Sequence, residues 1–161
     1  MNLVALFALF ILIISSGIIW FAINGSSKTN NEKLDYASIA VLPFTNMSND
    51  SENEFFCDGV TEDILTQLSK LKNLKVISRT SVMHFKNTDL TIPEIAKELG
   101  VEYIVEGSVR RQGDQVAITA QLIHAKEDGH LWAENYQRKL DDVFAIQREI
   151  ALAVVNQTKI A

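Results

Sequence analysis

What the chain lacks narrows the field first. It has one cysteine among 161 residues, which excludes an intramolecular disulfide framework and a multi-cysteine zinc site. Basic residues are in deficit, 15 Lys and Arg against 20 Asp and Glu, for a formal net charge of −5. No general electrostatic pull toward nucleic acid or anionic lipid follows from that balance. The seven glycines fall singly, at turn and cap positions, and form neither a Walker loop nor a G-x-G-x-x-G fingerprint. H-E-x-x-H, an EF-hand loop and a G-x-S-x-G elbow are absent as well. Hydrophobic residues make up 47% of the chain, an ordinary globular share that excludes global disorder.

Much of that apolar content is concentrated in one run. Leu3 to Ile23 reads LVALFALFILIISSGIIWFAI, without a charge. About 21 residues at ~1.5 Å each span roughly 30 Å, the thickness of a bilayer's hydrocarbon core. Trp20 and Phe21 stand near the end that meets the headgroups. A signal-peptide core runs about 7–15 residues after a basic segment, whereas only Met1 and Asn2 precede this one. The expectation is an uncleaved transmembrane helix over residues 1–23, with the lipid bilayer a partner through residues 3–23. Lys28 and Lys33 follow it and no Lys or Arg precedes it, a slight bias toward a cytoplasmic C-terminal part.

Residues 24–37 read as a flexible linker, since Asn24 to Leu34 (NGSSKTNNEKL) is polar and rich in Gly, Ser and Asn. Residues 38–161 read as one α/β domain. Ser38 to Phe44 is a short run of β-formers ending at Pro43, a buried strand. Val60, Ile64, Leu65, Leu68 and Leu71 have helical spacing over Gly59 to Leu71. Asp58 is placed to cap that helix, with Glu62 and Asp63 at the positive end of its dipole. Leu74 to Ile77 is a second strand. Thr91 and Glu94 form a capping box, Leu90 and Ile95 a staple, Pro93 sits in the first turn and Gly100 supplies the stop. Val101 to Lys139 reads as three strands with turns at Arg111–Asp114 and Lys126–Gly129; Val116, Ile118, Ala120 and Leu122 alternate with polar or small residues. Asp141 or Asp142 caps a last helix whose apolar face is Val143, Ile146, Ile150 and Val154. The order β-α-β-α-β-β-β-α implies a mixed β-sheet covered by helices, preceded by one transmembrane helix.

Few residues invite a chemical role. Cys57 could act as a nucleophile if His84, His124 or His130 approached it, but Phe55 and Phe56 beside it point to a semi-buried packing residue. The three histidines share no metal-ligand spacing. Asp58, Glu62 and Asp63 read as capping and dipole compensation before paired acids. Arg110 and Arg111 form a basic pair at a hairpin end. Trp132 and Tyr136 share a strand face with Glu134 and read as packing against the last helix. No catalytic, metal or cofactor residue is assigned.

An ordered series of strings nonetheless resembles one family. Ile39-Ala40-Val41-Leu42-Pro43-Phe44 with Asn46 and Ser48 is similar to the opening of the TolB amino-terminal-like module. So are the strings Glu54 to Asp63, Val76 to Ser81, Ile95 to Val101, Tyr103 to Arg111, Ile118 to Ile123, His130 to Tyr136 and Phe144 to Gln147. The resemblance runs from Ser38 to Ala161. It implies a non-enzymatic α/β domain of the kind found in membrane-anchored bacterial tetratricopeptide-repeat, adenylate-cyclase-like and winged-helix regulator proteins. Relatives carry an output domain before the membrane helix and helical repeats after the module; neither is in this chain, so no cyclase or DNA-binding activity is carried over.

The expectation is a non-catalytic, membrane-anchored interaction, assembly or sensory module of a bacterial envelope signalling protein. Its location would be the inner membrane, single-pass, with the C-terminal domain periplasmic, because the topology that the resemblance implies outweighs the bias of Lys28 and Lys33. Envelope proteins or a self-associated copy would be its partners, and nucleic acid would not. The alternative is a small-molecule or ion-sensing domain of a regulator or cyclase-type receptor. Its ligand cleft would be formed by Asp58, Gly59, Glu62, Asp63, Arg110 and Arg111.

Overall fold

The computed structural model describes residues 36–158. The expected membrane segment and all but the last two residues of the expected linker lie outside the described residues. Among those described, no helix is long and apolar enough to cross a membrane.

Strands β1 (Ala37–Val41) and β2 (Thr45–Asn46) lead into helix α1 (Asn53–Ser69) and strand β3 (Leu74–Val76). A short helix α2 (Arg79–Val82) and a 3-10 turn (Met83–Phe85) precede helix α3 (Ile92–Leu99). Strands β4 (Tyr103–Gln112), β5 (Gln115–His124) and β6 (Gly129–Lys139) form a meander, and a 3-10 turn (Leu140–Asp142) runs into helix α4 (Val143–Thr158). One mixed sheet has the order β3-β1-β4-β5-β6, with β2 also beside β4. The β1–β3, β1–β4 and β2–β4 pairings are parallel, and the meander is antiparallel.

The expected strand Ser38–Phe44 holds only as far as Val41; after a break over Leu42 to Phe44 a second short strand, β2, continues along β4. Pro43 has no N–H to give a ladder. Leu42 still donates to the Val105 carbonyl at 2.8 Å, and pairing resumes where Met47 donates to Val109 at 2.8 Å. Between them the Phe44 N–H turns away from the sheet and donates to Thr61 Oγ1 of α1 at 3.0 Å. That hydroxyl donates in turn to the Cys57 carbonyl at 2.9 Å. The Phe44 ring fills the space left at Gly107, where an added Cβ would collide with the ring and with the Thr119 carbonyl oxygen. Gly107 is thus the close backbone approach its place in a strand suggested.

The two faces of the sheet differ. On one, Ile39, Val41, Val105, Val109, Ile118 and Leu122 pack with Val60, Ile64 and Leu68 of α1 and Ile146, Ile150 and Val154 of α4. On the other, Ala40, Leu42 and Ile104 pack with Val82, Ile95 and Ala96. This second layer covers only the β1–β4 side, so Ala133, Asn135 and Gln137 of β6 are exposed. The alternation expected for β5 holds: Val116, Ile118, Ala120 and Leu122 are all buried.

Helix α3 keeps its expected ends. The Thr91–Glu94 capping box is formed, Pro93 lies in the first turn, and Gly100 closes the helix at φ 64° in the left-handed region. Helix α1 corrects the sequence reading. It begins at Asn53, with Glu52 at its N-cap, so Asp58 does not cap it and Gly59 does not start it. Asp58, Glu62 and Asp63 lie beyond the first turn, where the positive end of the dipole no longer acts. An aspartate does order the entry, for Asp50 Oδ1 accepts the Glu52 N–H at 2.9 Å. Asp141 and Asp142 likewise lie within the 3-10 turn that runs into α4.

Candidate functional site

Glu54, Asp58 and Glu62 follow one another at i, i+4 and i+8 on α1 and share one side of the helix. The chain after β3 brings two cations to that side. Lys86 Nζ lies 2.8 Å from Asp58 Oδ1 and 2.9 Å from Glu54 Oε2. The hydrogen bond that Lys86 donates to Asp58 is the largest influence holding its ammonium above the usual lysine range; partial burial opposes it, and Glu54 adds to it. Arg79 Nη2 stands 3.9 Å from Asp58 and its Nε 3.7 Å from Glu62, ion-pair distances too long for hydrogen bonds. The arrangement is a clasp that ties α1 to the α2 segment. Its carboxylates are already committed to cations, which leaves little charge for a ligand.

The other sequence candidates go elsewhere. Asp63 faces α4 and accepts a hydrogen bond from Gln147 Nε2 at 3.0 Å; Gln147 is itself buried. Gly59 lies in the second turn of α1, where an added Cβ would meet nothing within 4 Å. Arg110 and Arg111 are consecutive strand residues and so point to opposite faces. Arg110 is exposed. Arg111 is half-buried, with its guanidinium 5.7 Å above the Phe56 ring, a cation–π geometry. Its backbone N–H donates to Ser48 Oγ at 2.9 Å.

Arg110 and Arg111 border a groove of about 810 Å³ between the β2–α1 loop and the β4–β5 turn. Asp50 and Glu52 line it too, so its charge is mixed. Asp58, Gly59, Glu62 and Asp63 are not among its lining residues. Five of the six candidates therefore divide between the clasp, the α1–α4 seam and this groove, and Gly59 belongs to none of them.

Cys57 is fully buried on the inner side of α1. Burial is the main cause that pushes its thiol up to about 11, with Glu54 and Asp58 adding to it. It is a packing residue with no thiolate at neutral pH. His124 lies against Tyr103, with ring centroids 5.5 Å apart, and its Nε2 is 3.7 Å from Glu102. Trp132 is partly buried and packs on the core that holds Tyr136. Burial is the main cause that pushes the Tyr136 hydroxyl up to about 12. Among the described residues, no group of three or more His, Cys, Asp or Glu is placed to hold a metal ion.

Sequence reasoning missed Arg79, Lys86, Thr61 and Gln147. The spacing of Glu54, Asp58 and Glu62 was a usable signal for a clasp, because three acids on one helix side call for cations opposite. Nothing local marks Arg79 or Lys86 as those cations.

Residues 35–153 match the family model of the HilA/YgeH-like transcriptional regulator, second domain. A Rhizobium meliloti (strain 1021) protein named "Putative adenylate cyclase 3" is 50% identical over 123 residues. That stretch is 76% of this chain but 21% of the relative's length. Among solved structures, TolB from Acinetobacter baumannii superposes with a TM-score of 0.59 at 17% identity, covering 76% of this chain and 28% of TolB. Lipoprotein GNA1162 from Neisseria meningitidis gives 0.54 at 21% identity, covering 76% and 96%. These two likenesses concern the fold, and the resemblance to TolB holds at that level.

Proposed function

Because the chain belongs to the family of the HilA/YgeH-like transcriptional regulator second domain, we propose that it is a non-catalytic interaction module of a bacterial envelope signalling protein. The match over residues 35–153 carries the regulatory, non-catalytic part of the reading. The matched unit is nearly the whole described domain, and its description is that of a regulator's domain. The adenylate cyclase name belongs to a relative of which this chain spans about a fifth. In this reading residues 3–23 anchor the chain in the inner membrane, residues 24–37 tether it, and the domain works outside the cytoplasm on envelope proteins.

Alkaline phosphatase fused after Ala161 tests the placement. Phosphatase activity is expected, and cytoplasmic fluorescence of a matching reporter without phosphatase activity refutes it. Incubation of the purified full chain with ATP tests the lack of catalysis, which cyclic AMP formation would refute. A second reading, a sensor of small molecules or ions, is favoured by the mixed-charge groove at Arg110 and Arg111. A thermal-shift panel checks it: a ligand whose stabilisation disappears in Arg111→Ala, with the unliganded midpoint unchanged, supports it.

A further inference from the structure

The two edges of the sheet are unequal. β3 ends it with three residues, whereas β6 ends it with eleven, of which only Tyr136 is buried. A long edge presents a row of unpaired backbone groups. Which groups these are follows from the register. Leu140 donates its N–H to the Asp114 carbonyl at 2.7 Å, and Val116, Ile118, Ala120 and Leu122 stand opposite Arg138, Tyr136, Glu134 and Trp132. Antiparallel pairs alternate between bonded and unbonded. The even-numbered residues of β6 therefore bond to β5, and Ala133, Asn135, Gln137 and Lys139 turn their N–H and C=O groups outward; of these the Gln137 carbonyl accepts a hydrogen bond from Arg138 Nη1 at 3.0 Å, a contact that edge pairing replaces.

We propose that this edge pairs with the same edge of a second copy, antiparallel about Tyr136. Edge-to-edge pairing of the outward groups allows only registers that set odd residues against odd. Centring on Tyr136 sets Glu134 opposite Arg138 of the other copy, twice by symmetry. Both pairs are non-hydrogen-bonded ones, in which side chains approach closest. Asn135 then faces Gln137 on the open side. Shifting the centre to Glu134 brings two Glu134 side chains together, and shifting it to Asn135 sets Glu134 against Tyr136. Charge complementarity thus selects one register and a second copy of this chain as the occupant.

The surroundings agree. Glu149 of α4 reaches Arg138 at 4.0 Å, so the α4 flank carrying Ala145, Glu149 and Leu152 lies toward this edge, and Leu152 is 63% exposed. The irregularity between Leu122 and Ile123, opposite Leu131, bounds at one side the regular stretch of β6 open to the second copy. Since each copy uses the long edge of its sheet and β3 at the other edge of the described sheet has three residues, the assembly closes at two.

The test uses the full chain in membranes. One tagged copy carries Asn135→Cys and a differently tagged copy carries Gln137→Cys; the parent, whose only cysteine is buried, is the blank. Mixed-tag disulfides are expected, with few between copies that carry the same substitution. Equal cross-linking of like copies, or none, overturns the register. Sedimentation in density-matched detergent then reads the charge pairs. Glu134→Arg alone or Arg138→Glu alone should weaken the dimer by about tenfold or more in Kd, and mixing the two variants should restore it. A chain monomeric throughout, or a dimer indifferent to both reversals, overturns the proposal. Restoration on mixing separates it from misfolding and from association through residues 3–23.

Discussion

Thr61 is the most exacting place to perturb this fold. Its hydroxyl is fully buried and accepts the Phe44 N–H at 3.0 Å where the first strand breaks. Thr61→Val keeps the volume and branching and removes the hydroxyl. The Cys57 carbonyl still receives the helical N–H four residues on, so losing the 2.9 Å hydroxyl contact there adds little. The Phe44 N–H, fully buried with its residue, is left without a partner, which costs about 1–3 kcal/mol. With a urea slope of about 2 kcal/mol/M, the unfolding midpoint should fall by about 0.5–1.5 M. Thr61→Ser retains the hydroxyl and loses one buried methyl, about 1 kcal/mol. Urea titration of the full chain in mild detergent, followed by circular dichroism, gives both values. Hydrogen exchange at the Phe44 amide gives an independent readout, slow in the parent and in Thr61→Ser and fast in Thr61→Val. A valine variant that unfolds at the parent midpoint with a protected Phe44 amide would refute the reasoning.

Three other outcomes are expected. Gly107→Ala should destabilise by at least about 1–3 kcal/mol, because its Cβ meets the Thr119 carbonyl and the Phe44 ring; a second substitution, Phe44→Leu, should relieve part of the cost, as urea midpoints will show. Lys86→Met should lower stability at neutral pH by stranding Asp58 and Glu54. The parent binds the Lys86 proton more tightly when folded, so this stabilisation is full below the ordinary lysine range and fades as pH rises through the elevated value. The variant should therefore show a flatter alkaline limb in a pH series of melting temperatures. Cys57, with its thiol pushed up to about 11 and buried, should resist iodoacetamide at neutral pH and label fully in urea, as mass spectrometry will report.

Much of the sheet and of α3 was legible because local chemistry decides them. Thr91, Glu94 and Gly100 carry the ends of α3 in their own side chains and backbone freedom, and the period-2 burial of β5 follows from one covered face. The start of α1 was not legible from its apolar residues. Its first turns hold Phe55, which is 84% exposed, while Asn53 and Cys57 are the residues that continue the buried stripe of Val60 and Ile64. A polar residue and a cysteine on the inner face conceal the period. The break at Pro43 was visible as a proline, but its solution depends on Thr61, a residue of the next helix. The clasp was hidden for the same reason, since Lys86 reaches Asp58 across 28 positions of chain.

The topology also imposes an order of assembly. β4, β5 and β6 meet through two tight turns, so their contacts close small loops and form early at little entropic cost. β1 has no such neighbour: Ala37 pairs with Leu74, and Ile39 with Tyr103. Synthesised before the other strands of the sheet, β1 must wait for β4 before it can be held on both sides. Until then its apolar run is sheltered on one side at most, so the two parallel strands β1 and β3 are secured after the meander.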